Sequence, residues 1–81
     1  MTSEMVCCEE VKNTKEMEFF LRGCYPLFRK AEKDGQQMSV LIGNKMFPAN
    51  NIRDMETLCE EAFQIVKGLG KIFCRVFFKT L

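Results

Sequence analysis

Histidine and tryptophan are absent from the 81 residues, and only two prolines and five glycines occur. Without His the chain lacks the commonest general base near neutral pH and the commonest zinc ligand. So few Pro and Gly exclude a low-complexity chain. No apolar run is longer than four residues, far short of the roughly 20 that a spanning helix needs. Charge of one sign is missing too. Twelve basic side chains against eleven acidic ones leave +1, which supplies no field to draw the protein to nucleic acid or an anionic membrane. The opening segment MTSEMVCCEE has neither a basic start nor the apolar stretch of a secretion signal, so a soluble, cytoplasmic protein is expected.

What is present is a globular composition, 47% hydrophobic and 28% charged. A chain of this length makes one domain over residues 1–81 and buries only roughly 60–65% of its unfolded surface. The five cysteines, at positions 7, 8, 24, 59 and 74, are odd in number, which reads as thiols and not as a disulfide framework. The only close pair, Cys7 and Cys8, is adjacent and no His can complete a ligand set, so no metal site and no cofactor are expected. Cys24, Cys59 and Cys74 read as small buried hydrophobes, and Cys7-Cys8 as exposed and open to oxidation.

Residues 71–78 alternate, with Ile72, Cys74, Val76 and Phe78 on one face and Phe73, Arg75, Phe77 and Lys79 on the other, which predicts a strand. Before it, Ile52, Met55, Cys59, Ala62 and Val66 follow helical spacing, widened by Leu58, Phe63 and Ile65. Asn50 or Asn51 serves as cap and Gly68 as stop. Gln37–Gly43 and Asn44–Pro48 read as a hairpin around Gly43-Asn44. From Asn13 to Asp34 the apolar stripe Met17, Phe20, Leu21, Cys24, Phe28 and Ala31 predicts helix. Asn13 and Glu16 have the spacing of a capping box, and Gly23 and Pro26 predict a kink or break. Residues 1–12 allow a strand starting at Met5–Cys8 or a short helix capped by Ser3, and the strand is preferred.

The order β-α-β-β-α-β predicts an α+β fold. It is a two-layer sandwich of a small antiparallel or mixed sheet with two helices on one face, in a split βαβ arrangement. Such a fold licenses no activity by itself. The last strand must turn one face to the helices. If that face is Ile72, Cys74, Val76 and Phe78, then Phe73 and Phe77 lie outside, beside Arg75 and Lys79. Two exposed Phe on one strand exceed ordinary surface scatter.

Three things can cover them. Residues 1–12 or the Tyr25–Phe28 region can fold over the face. A protein partner, including a second copy of the chain, can dock there, because Phe, Met and Arg are enriched at interface centres. Single-stranded nucleic acid can stack on a sheet of aromatics and bases. The element order would suit an RRM-like domain, but Asn44-Lys-Met-Phe-Pro lacks that family's aromatic, Lys/Arg-Gly motif, so no family is claimed. Of six Met, those at 17, 38, 46 and 55 are assigned to the core.

Signatures of catalysis are missing. Gly68-Leu-Gly70 precedes a strand and not a helix, Ser3 and Ser39 have no His to activate them, and Glu9-Glu10 and Glu60-Glu61 read as solvated surface. The sequence therefore points to a non-enzymatic module that binds a protein. Small regulators, inhibitors and adaptors, including phage-encoded antagonists of host proteins, share this profile. The expected contact residues are Phe73, Arg75, Phe77 and Lys79, with Tyr25, Phe28, Arg29, Asn44 and Lys45 as secondary candidates. Single-stranded nucleic acid is the alternative ligand of the same strand, and no membrane is expected.

Overall fold

Two asparagines open the two helices by the same device. Asn13 takes the amide of Glu16 on its side-chain oxygen at 2.9 Å, and the Glu16 carboxylate takes the amide of Lys12 at 2.8 Å. Asn51 accepts from the amide of Asp54 at 2.8 Å, and the Asp54 carboxylate accepts from the amide of Asn50 at 3.0 Å. Each pair satisfies one amide of the first helical turn and one amide just before the cap, and puts a carboxylate where the helix dipole favours it. Asn50 does a different job. Its side-chain oxygen accepts from the Met38 amide at 2.9 Å, tying the approach to the second helix to a strand. Asn51→Ala is expected to cost about 1 kcal/mol, lowering Tm by about 4–8 °C in a calorimetric scan.

The computed structural model describes residues 3–80; Met1, Thr2 and Leu81, the ends of the expected domain, lie outside the described residues. Along the chain run β1 (Ser3–Val11), α1 (Thr14–Lys33), β2 (Gln36–Ile42), β3 (Lys45–Pro48), α2 (Ile52–Leu69) and β4 (Ile72–Thr80). The strands form one sheet in the order β1-β4-β2-β3, and every neighbouring pair is antiparallel. Each helix thus connects two strands that flank a third: α1 passes from β1 to β2 across β4, and α2 from β3 to β4 across β2. This is the expected α+β sandwich, with a fully antiparallel sheet.

The core lies between the sheet and the helices. β4 contributes Ile72, Cys74, Val76 and Phe78, β2 contributes Met38, Val40 and Ile42, and β3 contributes Phe47. α1 buries Met17, Phe20, Leu21, Cys24, Phe28 and Ala31, the stripe read from its spacing. α2 buries Met55, Leu58, Ala62 and Val66. The β2–β3 turn is two residues long, with Gly43 at φ +64°, the left-handed position that a hairpin of this length requires.

Several expectations need correction. α1 runs unbroken through Gly23 and Pro26. Its single apolar face is held to the sheet on both sides of Pro26, and that packing outweighs the missing helical hydrogen bond at an exposed position. α2 continues past Gly68 to Leu69, and Gly70, at φ +73°, is the residue that ends it, donating its amide to the Val66 carbonyl at 2.8 Å. Ile52 belongs to the first turn of α2 and faces solvent instead of joining the stripe. Met46 is exposed, not core, because it sits opposite Leu41 on the far side of the sheet from Phe47.

Candidate functional site

Alternation decides which side chains of β4 leave the core. With Ile72, Cys74, Val76 and Phe78 buried, Phe73, Arg75, Phe77 and Lys79 form a row on the opposite face of the sheet. Phe73 is 47% exposed, Arg75 and Phe77 are half-buried and Lys79 is exposed. The Arg75 guanidinium lies 5.5 Å from the centroid of the Phe73 ring, a cation–π arrangement that fixes both groups.

Register extends this row sideways. On β1, Met5 is paired with Phe77 and Cys8 with Arg75; on β2, Leu41 is paired with Arg75 and Ser39 with Phe77. β3 completes the face with Met46 and Pro48, opposite Leu41 and Ser39. Met5 and Met46 are both about half exposed, at 53% and 52%. A shallow depression of about 290 Å³ opens at the end of the row, between Lys79, Met46 and Pro48.

Among the described residues nothing folds over this surface. Residues 3–11 are its edge strand, and Tyr25–Phe28 belong to α1 in the other layer, so neither covers the rings.

The secondary candidates do not join it. Phe28 is a correction: at 1% exposure it is a core residue facing the sheet, with the Arg29 guanidinium over its ring at 5.4 Å, and it cannot meet a partner. Arg29 is exposed on the helical layer and paired with Glu32 at 3.4 Å. Tyr25, 39% exposed, sits against Cys59 of α2, and that neighbour raises its hydroxyl above the ordinary range. Asn44 lies at the exposed hairpin turn, after Gly43, whose amide donates to the Phe73 carbonyl at 2.9 Å. Lys45 points to the helices instead, bonded to Glu61 at 2.6 Å and 5.1 Å from the Phe47 ring centroid. Outer-face residues that sequence reasoning missed are Met5, Leu41, Met46 and Pro48. A two-residue turn pairs Leu41 with Met46, so once Phe47 is assigned inward their outward direction follows.

The edges of the sheet offer less. β1 carries Glu4, Glu9 and Glu10, and its pairing with β4 is interrupted by an extra residue between Met5 and Cys7. β3 is four residues long and ends in Pro48. A bulge, charges and a terminal Pro each blunt an edge against strand addition.

The thiols are placed unequally. Cys24 and Cys74 are buried, Cys7 and Cys59 half-buried, and Cys8 is exposed on the outer face. Burial pushes Cys24 and Cys74 from 9.0 up to about 12, with neighbouring thiols and Glu9 adding to the effect. A thiol whose folded pKa is raised stabilises the fold fully below its unfolded value, and that contribution is lost as pH rises from about 9 to about 12. Stability is therefore expected to fall through that window. A chromogenic thiol reagent at neutral pH should label Cys8 at once, and Cys24 and Cys74 only after denaturant is added.

Among the described residues no group of three or more Cys, Asp or Glu is placed to hold a metal ion, and no helix is long and apolar enough to cross a membrane. No family model, curated protein or solved structure matches the chain.

Proposed function

We propose that this protein is a non-enzymatic protein-binding module, a small cytoplasmic regulator or inhibitor that acts by occupying a partner's surface. The observation that carries this reading is the open outer face of the sheet. Phe73 and Phe77 stand there beside Arg75 and Lys79, amid Met5, Leu41 and Met46, with no described segment over them. An isolated exposed aromatic needs no explanation, but a contiguous apolar face framed by cations is the usual form of an interaction surface. Five free thiols agree with a reducing compartment.

Phe73→Ser with Phe77→Ser tests it. Phe73 is half exposed and neither ring reaches the core between sheet and helices, so the double variant is expected to melt within several degrees of the wild type and to lose its protein partners in a pull-down. A collapse in Tm would mean that the rings belong to the core. Retention of single-stranded oligonucleotide by the wild type at low salt, lost in Arg75→Glu with Lys79→Glu, would favour the nucleic-acid alternative.

A further inference from the structure

Resting on that reading, we infer that the occupant of the outer face is an extended, acidic and apolar segment of another protein, laid along β4.

Charge is the first argument. The face carries two cations, Arg75 and Lys79, and neither has an ion-pair partner among the described residues. Its one carboxylate close to the row, Glu10 opposite Phe73, is already held by Lys71 at 3.3 Å and Lys12 at 3.9 Å. The surface therefore presents uncompensated positive charge among apolar groups, and complementarity asks for carboxylates. A second copy docked face to face would add two further cations and no free acid.

Extent is the second. At about 3.3 Å per residue and about 4.8 Å between strands, the four strands span about 450 Å². Lengthwise, the nine residues of β4 offer about 30 Å, the reach of an extended segment of about nine residues.

Spacing is the third. Phe73, Arg75, Phe77 and Lys79 follow one another every second residue, about 6.6 Å apart. An extended chain presents its inward side chains at the same interval. Apolar and acidic residues alternating at those inward positions would set apolar groups on the two rings and carboxylates on Arg75 and Lys79. The depression of about 290 Å³ beside Lys79 has room for one of these side chains at the end of the row. Nucleic acid is the weaker match, because Arg75 already occupies a face of the Phe73 ring and the neighbours are Met, Leu and Pro, which offer no stacking plane.

The experiment uses the full chain, immobilised in reductant, to select from a displayed library of random dodecapeptides, with counter-selection on the Phe73→Ser, Phe77→Ser variant. Enrichment of peptides with Asp or Glu four residues apart and apolar residues between them is the expected result. Their affinity should fall about tenfold or more in Arg75→Glu with Lys79→Glu, and weaken with added salt. Face-dependent peptides that are neutral or basic would overturn the acidic partner while leaving the protein-binding reading standing. Concentration-dependent dimers in light scattering, lost in the double-Phe variant, would assign the face to a second copy and overturn the segment. No face-dependent peptide at all would overturn the segment, and a pull-down that the double-Phe variant leaves unchanged, or retention of oligonucleotide alone, would overturn both readings.

Discussion

Replacing Phe28 by Ala is expected to destabilise the fold by about 3–5 kcal/mol, enough to remove most of the stability that an 80-residue domain commands. Phe28 is the largest of the fully buried side chains, pressed from α1 onto the sheet. Its loss removes the ring's transfer energy and leaves a cavity that two helices and four strands cannot close without moving together. Denaturant titration should show a midpoint far below that of the wild type, with the unfolded form populated before denaturant is added. Phe73→Ala is the matched control. It deletes the same ring from a half-exposed position and should cost less than about 1 kcal/mol, with a correspondingly small shift of the midpoint. Equal losses at the two positions would contradict the layering described above.

Pro26→Ala is expected to act in the opposite direction. Pro26 lies in the interior of α1, has no N–H to give the Arg22 carbonyl, and is exposed. Ala restores the donor and the preferred helical geometry, a gain of about 3 kcal/mol in an isolated helix interior. Part of that is offset because Pro also restricts the unfolded chain. A net stabilisation of about 1–2 kcal/mol remains, which should raise Tm by at least about 4 °C. An unchanged Tm would mean that the Arg22 carbonyl already finds another donor. Because α1 does not carry the outer sheet face, this variant should keep the binding of the wild type.

Pro26 also shows where sequence and structure part company. Local propensity at Gly23 and Pro26 predicts a kink or break, yet six apolar residues from Met17 to Ala31 lie on one stripe and pack as a unit. The stripe was legible and the continuity of the helix was not, because the decisive energy comes from the sheet underneath. β4 and the hairpin were legible for the same kind of reason, since period-two alternation and a Gly-Asn turn leave little choice of face. β1 was ambiguous because its pairing slips between Met5 and Cys7. The extra residue puts Val6 and Cys7 both against the core and breaks the alternation that identifies a strand. The outward row on β4 could be read from parity alone. Its lateral extent could not, because which strands flank β4 is a property of the sheet order and not of any local segment. Phe28 carried two readings, a place in the apolar stripe and a secondary contact role, and the stripe decides between them, because a ring on the buried face of α1 meets the sheet.

The position of β4 in the middle of the sheet has a consequence for how the chain is born. β1 has no strand neighbour except β4, and β2 needs β4 on one flank. While the protein is being synthesised, β1 must therefore wait, unpaired, for β4, which leaves the ribosome after the other three strands. The nascent chain can gather α1 and the β2–β3 hairpin early, but Met5, Cys7 and Cys8 on β1 stay unsheltered until translation has delivered β4.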